Sequence, residues 1–420
     1  MRPRHPTARV LAMRPVRLFI GARFFTGFAR AVLAATLAYH VYALTGSYAA
    51  LGFLGLASFV PIVPVALLGG VLADRFDRRG VIVWAHLLAI ATAAGLALVA
   101  GPLDGRLGPL LAGALGLGVA AALANPAGSA ILPLLVPREI FQNAAVVSSS
   151  AVQLARAAGP IAMGLSVGPF GIGAPYALAA VSFAVAVGCL LALPRLEHDP
   201  SRVDVSLGAV RDGIRFVWRR QAIIGSMALE LLAVVFASAT ALLPVYAEDI
   251  LRVGPEGYGL LRGALSAGTF LMTLVLLLLR PFRHPGRALL RAVLVYGLAT
   301  IAFGLSRSFP LSLVTLLVVG MADQVSKTTR SVILQLSTPD QIRGRVSSVN
   351  LIFVGASNEL GDAESGFLAW LTNATFSVVA GGVASLLALA AVAAAMPELR
   401  RYRPRIAADA GVGTPEKRGT

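Results

Sequence analysis

Charged residues are scarce in this chain, and the scarcity limits the class of protein to which it can belong. Charged side chains make up 13% of the 420 residues and hydrophobic ones 57%, whereas soluble domains carry roughly 25% charged residues. The mean hydropathy is +0.79. Because a soluble core cannot bury this much apolar surface, lipid must be the solvent for much of the chain.

Cysteine and metal-binding patterns are also missing. The one cysteine, Cys189, excludes an intrachain disulfide and a thiolate-based zinc or iron–sulfur site. The five histidines are scattered without ligand spacing. The sequence has neither a nucleophile elbow nor a glycine-rich phosphate loop before a Lys-Ser/Thr pair. We therefore predict no metal, no cofactor and no enzyme activity, and a membrane enzyme or lipid-handling protein is the weakest alternative.

Long apolar stretches are what the chain has in abundance. A spanning helix needs about 20 predominantly apolar residues, and twelve stretches meet that requirement. They cover residues 16–43, 48–73, 80–101, 109–133, 141–167, 172–193, 222–246, 257–280, 287–306, 309–332, 345–369 and 373–396. The sequence therefore predicts an all-α membrane protein with twelve transmembrane helices.

Basic residues cluster in the polar segments on one side of these stretches. The net charge is +16, and most arginines lie at the N-terminus, in the tail and in segments 73–79, 194–220 and 280–291. Because short cytoplasmic loops are enriched in Lys and Arg, both termini are predicted to be cytoplasmic. Clusters between apolar runs are unlike the basic stripe of a nucleic-acid-binding surface, so no nucleic-acid partner is expected.

A polar interruption and an internal repeat divide the chain. We predict an N-terminal six-helix bundle over residues 1–193 and a C-terminal six-helix bundle over 222–397. A cytoplasmic linker, 194–221, joins them, and a disordered cytoplasmic tail, 398–420, follows. Ser129-Ala-Ile-Leu-Pro-Leu-Leu-Val-Pro-Arg-Glu-Ile140 resembles Ser331-Val-Ile-Leu-Gln-Leu-Ser-Thr-Pro-Asp-Gln-Ile342 at an offset of 202 residues. The offset also matches Gly159 with Gly361 and Gly164 with Gly366, which indicates a parallel repeat about an axis along the membrane normal.

A charged motif, Gly70-Val-Leu-Ala-Asp-Arg-Phe-Asp-Arg-Arg79, fills the short loop between the second and third stretches. Its glycine allows close helix approach, its acid can bind an arginine, and its arginines hold the loop in the cytoplasm. A latch of this kind can stabilise one access state, although ordinary topogenic arginines are the alternative. The predicted gating residues are Gly70, Asp74, Arg75, Arg78 and Arg79.

The counterpart of this loop motif in the second half is Arg280-Pro-Phe-Arg-His-Pro-Gly-Arg287, which has no acidic residue.

A second motif lies in the fifth stretch, where Ala155-Arg-Ala-Ala-Gly-Pro-Ile-Ala-Met-Gly164 combines a proline with small residues. Gly159, Pro160 and Gly164 are predicted to bend that helix and allow tight packing; generic small-residue packing is the alternative.

These motifs resemble those of a known superfamily. The 70–79 loop matches the major facilitator signature Gly-x-Leu-Ala-Asp-Arg-x-Gly-Arg-Arg/Lys at nine of ten positions, with Asp77 in place of glycine. The fifth-stretch motif resembles that of its drug/proton antiporters. Over about residues 16 to 405 the chain is similar to the enterobactin exporter branch, which includes macrolide-efflux-like members. The segments that carry this similarity are Leu18-Phe-Ile-Gly-Ala-Arg-Phe24, Gly69-Gly-Val-Leu-Ala-Asp-Arg75, Thr338-Pro-Asp-Gln-Ile-Arg-Gly-Arg-Val346, Asn358-Glu-Leu-Gly-Asp362 and Glu398-Leu-Arg-Arg-Tyr402.

The resemblance implies a major-facilitator fold and a function. The expectation is a secondary active transporter in a bacterial plasma membrane that exports siderophores or drug-like molecules by proton-coupled alternating access. Its partners are then a small-molecule substrate, protons and membrane lipid, and it is expected to be monomeric. An importer or facilitator with the same fold is the alternative. Many proton antiporters of the superfamily carry an arginine in the fourth span, where this chain has only Asn125 and Pro126 as marked features.

Charges within the first stretch are candidate substrate ligands. A charge at bilayer depth costs at least about 2.5–3.5 kcal/mol, so it faces a cavity or a partner. Arg23 and Arg30 share one helical face with Thr26 and Gly27. That face suits an anionic or polyphenolic substrate, and pairing with a fixed carboxylate is the alternative. Tyr39 and Tyr42, further along, are predicted to mark the membrane interface.

The other candidate substrate or proton residues lie mainly in the second half. They are Arg156, Glu230, Asp323, Asn358, Glu359 and Asp362. Lys327, four residues after Asp323, is expected to neutralise it. The repeat matches Arg156 with Asn358, so Arg156 is expected to pair across the halves with the acids of the eleventh stretch, Asp362 among them.

Overall fold

The computed structural model describes residues 6–61, 64–65, 77–101, 106–129, 131–194, 215–217, 220–279, 282–339 and 342–402. Within these ranges the chain forms helices and turns and no strand. A short helix, Pro6–Ala12, precedes the first long one. The all-α prediction is therefore confirmed for the described part of the chain.

In the described residues, twelve helices of twelve residues or more follow in chain order. The first six are α1 (Arg14–Thr45), α2 (Tyr48–Phe59), α3 (Arg78–Val99), α4 (Gly108–Ser129), α5 (Phe141–Phe170) and α6 (Gly173–Leu191). The second six are α7 (Gln221–Phe236), α8 (Gly254–Leu278), α9 (Pro285–Leu305), α10 (Phe309–Ser337), α11 (Arg343–Leu371) and α12 (Ala374–Ala395). After α7 the chain continues through the 3₁₀ turn Thr240–Leu242, the short helix Leu243–Val245 and the π-helix Tyr246–Ile250.

The helices follow the twelve predicted stretches in order. In the described residues, nine helices are long and apolar enough to cross a membrane. The three helices outside that group are α2, α5 and α11. The helix α2 ends at Phe59, and most of the rest of its predicted stretch, 48–73, lies outside the described residues. The number of spans therefore stays a prediction.

Local capping explains several helix boundaries. The Asp77 carboxylate accepts hydrogen bonds from the backbone N–H groups of Arg79 and Gly80, both at 3.2 Å, and caps α3. A carboxylate at this position also interacts favourably with the positive end of the helix dipole. The substitution of the superfamily's usual glycine by Asp77 therefore has a structural reason. At the end of α1, Gly46 has φ 58°, a conformation that favours glycine.

The predicted disordered tail needs a correction at its start. Residues Pro397–Arg401 form a helix, and Leu399 is fully buried in a cluster with Leu229 and Leu289. Its backbone approaches Gly286 so closely that a Cβ there would overlap it. An apolar side chain in an otherwise polar segment fixes this turn against α7 and α9. Residues 403–420 of the predicted tail lie outside the described residues.

Among the described helices, two pairs make the most extensive contacts between the halves of the molecule. The helix α5 packs along α8, and α2 packs along α11. A Cβ on Gly164 would lie 3.2 Å from the Cα of Gly259, and one on Gly366 would lie 2.7 Å from the Cα of Gly52. Small residues therefore allow the two crossings to come within backbone contact.

The other two matched glycines pack inside their own halves. A Cβ on Gly159 would meet the backbone N of Val32 in α1 at 3.0 Å, and one on Gly361 would meet the carbonyl oxygen of Val234 in α7 at 2.7 Å. Thus the glycines matched by the 202-residue offset occupy equivalent positions in the two halves. This equivalence accords with the repeat in the sequence, while the domain limits remain as proposed from the sequence.

Candidate functional site

A cavity lies between the two halves and collects most of the candidate charges. It has three adjoining compartments that share wall residues, with volumes of about 360, 460 and 110 Å³. Arg30, His86, Asn125 and Arg156 line the first two, and Glu359 lines the second and third. We call these compartments together the central cavity.

The wall contributed by the first half is cationic. Arg23, Arg30 and Arg156 line the first compartment, on α1 and α5. Arg30 donates from Nη1 to Oδ1 of Asn125 at 2.7 Å, so the marked polar residue of α4 orients the arginine of α1. The buried Nε of Arg23 has no hydrogen-bond partner among the described residues. This wall can therefore offer charge-assisted donors to an anion.

A histidine shapes the same wall. His86 is buried on α3, with Nδ1 at 2.7 Å from the carbonyl oxygen of Ile82 and Nε2 at 2.7 Å from Oγ1 of Thr26. A carbonyl oxygen only accepts, so Nδ1 carries the proton, and in neutral His86 the Nε2 accepts from the Thr26 hydroxyl. This pair ties α1 to α3 beside Arg30 and fixes the cationic face.

The opposite wall, from the second half, carries acids. Asp362 and Glu359 line the third compartment together with Arg262 of α8. The Ser238 hydroxyl donates to Oδ1 of Asp362 at 2.6 Å. Arg262 donates from Nη1 to the hydroxyl of Tyr258 at 3.0 Å, and that hydroxyl donates to the carbonyl oxygen of Ala35 at 3.1 Å. Hydrogen bonds therefore link Arg262, which lines the same compartment as the two acids, to α1.

The expected pairing of Arg156 with Asp362 is wrong as a direct contact. The structure's described ion pairs, at or below 4.0 Å, do not include these two residues. Asp362 instead has Ser238 as its partner, because the break after α7 brings the Ser238 side chain to α11. Arg156 does line the second compartment with Asn358 and Glu359, so it shares that compartment with its repeat-matched residue, Asn358.

Two predicted carboxylates lie outside the central cavity walls. Glu230, 2% exposed, accepts from Nη2 of Arg330 at 3.3 Å and from the Ser326 hydroxyl at 3.2 Å. The sequence around Glu230 is apolar and offers no cation, so this buried ion pair could not be predicted from it. Asp323 pairs with Lys327 at 2.6 Å, one helical turn away, as their spacing predicts. Both acids are neutralised by cations of α10.

Hydrogen bonds also join the two halves further along α1, beyond the residues Leu37 and Ala38 that line the cavity. Tyr39 donates to Oε1 of Glu248 at 2.7 Å, and Tyr42 donates to a carboxylate oxygen of Asp249. Both tyrosines are less than 10% exposed, so they are not the interfacial belt that their sequence position suggested. The acids lie in the π-helix Tyr246–Ile250, and π-helical turns are frequent at functional sites. We call these four residues the tyrosine–carboxylate latch.

The predicted gating loop falls mostly outside the described residues. Gly70, Asp74 and Arg75 lie in that part, and the side chain of Arg78 does as well. Arg79 donates from Nη1 and Nη2 to the carbonyl oxygens of Leu193 at 2.8 Å and Leu191 at 2.7 Å. Arg79 therefore caps the C-terminal end of α6, which is favourable for a cation. Its latch function stays a prediction.

Comparison with known proteins places the chain in a family. The sequence profile described as "transmembrane secretion effector" matches residues 18–408, nearly the whole chain. The chain belongs to this family of major facilitator transporters. It is therefore a membrane transporter and not an enzyme, as the motifs predicted.

Curated relatives of this transporter are exporters. The enterobactin exporter EntS of Escherichia coli O157:H7 is 28% identical over 348 residues, which cover 82% of this chain and 83% of the relative. EntS of Escherichia fergusonii is 28% identical over 337 residues, with 80% and 81% covered. The resemblance to the enterobactin exporter branch is thus confirmed.

Solved structures confirm the fold of this transporter. The nucleoside transporter NupG superposes with a TM-score of 0.72 at 15% identity, covering 93% of this chain and 100% of that one. A POT family transporter in complex with 5-aminolevulinic acid gives a TM-score of 0.72 at 14% identity, covering 92% and 96%. At such low identity these likenesses establish the fold alone.

Several site residues were missed by sequence reasoning. They are His86, Ser238, Glu248, Asp249, Arg262 and Arg330. A lone arginine inside the eighth stretch and two consecutive acids at the end of the seventh were visible signals, since intramembrane charges mark cavities or partners. Ser238 and His86 gave none, because an isolated serine or histidine is common in apolar helices. In the described residues, no group of three His, Cys, Asp or Glu side chains could hold a metal ion.

Proposed function

We propose that this transporter exports small amphiphilic anions of the siderophore or drug class by proton-coupled alternating access. The observation that carries the proposal is that, among the described lining residues of the central cavity, the carboxylates all come from the second half. Arg23, Arg30 and Arg156 line the cavity from the first half, and Glu359 and Asp362 line it from the second half beside Arg262. The similarity to enterobactin exporters supports the siderophore class.

The two walls suit a molecule with both anionic and hydroxyl groups. Arginines bind anionic oxygens with charge-assisted hydrogen bonds, which are roughly twice as strong as neutral ones. Ionised Glu359 and Asp362 would accept hydrogen bonds from the hydroxyl groups of a polyphenol. Apolar wall residues of the second compartment, such as Leu33, Leu117 and Phe183, would cover its carbon skeleton.

The carboxylates of Glu359 and Asp362 can also couple substrate export to proton entry. Protonation of Glu359 or Asp362 removes a charged acceptor and weakens its bond to a substrate hydroxyl. Protons and substrate then compete, which is the requirement for antiport. With the termini in the cytoplasm, the tyrosine–carboxylate latch closes the outer end, so that substrate loads from the inside. Opening of the latch would expose the carboxyl groups to outside protons.

Transport in vesicles with and without a proton gradient tests the proposal. Catecholate siderophores and macrolide-like drugs are offered to the wild type and to Asp362→Asn and Glu230→Gln. We expect gradient-dependent efflux that Asp362→Asn abolishes, whereas folded Glu230→Gln protein stays coupled, because Glu230 lies away from the cavity. Efflux indifferent to the gradient would reject proton coupling, and inward movement alone would favour the importer.

A further inference from the structure

A second cavity lies on the flank of the second half, away from the central cavity. The helices α8 and α9 each pack along α10, and a groove of about 600 Å³ lies between them. Its floor is formed by Val318, Met321, Ala322 and Val325 of α10. Ligand pockets in proteins have volumes of roughly 300–1,000 Å³, so the groove is large enough for part of a lipid-sized molecule.

The groove is basic at one end and apolar along the rest. Arg283, Arg287 and Arg291 line it at the start of α9 and are exposed. Their spacing of four residues places Arg287 and Arg291 on one helical face, followed by Val295. Among the described residues that line the groove none is acidic, and the described ion pairs do not involve these arginines. The one nearby acid of α10, Asp323, is paired with Lys327.

Exposed leucines lie at one edge of the groove. Leu279, which lines the groove, is 54% exposed, and its neighbour Leu278 is 87% exposed. Since the chain is a membrane transporter, exposed leucines at this depth contact lipid. The groove is therefore open to acyl chains.

The local sequence also indicates that the arginines of this groove have few acidic neighbours. The segment 280–287 is the second-half counterpart of the 70–79 loop, which carries Asp74 and Asp77. The second-half segment retains four basic side chains and no acid. Its arginines therefore lack the local carboxylates that the first-half loop provides.

We propose that this groove binds an anionic phospholipid, with its phosphate on Arg283, Arg287 and Arg291 and an acyl chain along the floor of α10. Basic pockets between helices at the cytoplasmic side suit anionic headgroups, and the arginine distribution predicts that side for this end. A second copy of the chain fits less well, because a two-fold contact here would bring the same arginines face to face. The proposal does not depend on the transported substrate.

Native mass spectrometry of the delipidated full-length protein tests this binding. Phosphatidylglycerol and phosphatidylcholine of equal chain length are titrated against the wild type and the triple variant Arg283→Gln, Arg287→Gln, Arg291→Gln. Each basic residue near anionic lipid adds roughly fivefold to binding, so the triple variant should bind phosphatidylglycerol roughly 100-fold more weakly. The matched control replaces the exposed Arg9, Arg14 and Arg17 by glutamine and should stay within about twofold of wild type.

A groove-filling variant separates lipid from a free anion. Val318→Phe leaves every arginine in place but narrows the floor, so it should weaken phosphatidylglycerol binding as well. Glycerol phosphate at the same concentration should not compete. Unchanged lipid binding in both groove variants, equal competition by glycerol phosphate, or dimers in place of lipid adducts would overturn the proposal.

Discussion

The two halves of this transporter share a packing scheme but differ in charge. In the six predicted spans of the first half, every charged side chain is an arginine, whereas the second half also carries Glu230, Asp323, Glu359, Asp362 and Glu364. The matched glycines nevertheless pack in equivalent places. The two halves therefore share the close helix approach that glycine allows, while their charges differ. The two walls of the cavity between the halves differ in charge for this reason.

The largest expected effect concerns a charge pair that lies within one half. Arg330→Ala leaves Glu230 without its cation in a buried site, and such a loss destabilises a protein by about 3–5 kcal/mol. Replacing both residues, as Glu230→Gln with Arg330→Met, should be much milder, because no charge is left buried. Thermal unfolding in detergent, followed by size-exclusion chromatography, measures the difference. Equal losses in the two variants would contradict the assignment.

Reversal of a charge on the first-half wall should come next. Arg30→Glu places an acid where an anionic substrate binds, and like-charge contacts cost several kcal/mol, so transport should fall roughly 100-fold. Arg30→Lys should retain part of the rate. Arg17→Glu on the exposed surface of the same helix is the control and should transport normally. The measurement is initial efflux rate at equal protein in the membrane.

The shared packing can be tested at one glycine in each half. Gly164→Ala and Gly366→Ala should each lower transport roughly tenfold, since overpacking costs about 1–3 kcal/mol and both sites meet the other half's backbone. Gly95→Ala is the control, with nothing within 4 Å of its added Cβ. If one crossing tolerated alanine and the other did not, the two halves would not be equivalent at this level.

The smallest effect is expected at the tyrosine–carboxylate latch. Tyr39→Phe removes one hydrogen bond between the halves, worth about 1 kcal/mol, and should shift the conformational balance about fivefold towards opening at that end. Tyr296→Phe, which removes a hydrogen bond to the carbonyl oxygen of Ala237 inside the second half, is the matched control. Spin-label distances between the ends of α1 and the π-helix Tyr246–Ile250 would report the shift. Unchanged distances would show that the latch does not hold this state.

Much of the site could be anticipated from single residues. Arg23, Arg30 and Arg156 were candidates because charge inside an apolar stretch requires a cavity or partner, and all three line the central cavity. Glu230 met the same criterion, but it forms an ion pair with Arg330, a residue 100 positions away. Periodicity cannot distinguish a cavity from a buried pair, since either satisfies the charge. That choice depends on which helix is the neighbour.

The sequence by itself determined the helices, their order and the superfamily, because apolar length, loop charge and the 70–79 motif are local properties. It also indicated the glycine repeat. Tertiary structure alone decided that Ser238 binds Asp362, that Tyr39 and Tyr42 join the halves, and that the start of the tail is held by Leu399. These contacts join residues far apart in the chain, and helix–helix contact, not spacing along one helix, brings their atoms within hydrogen-bonding or packing distance.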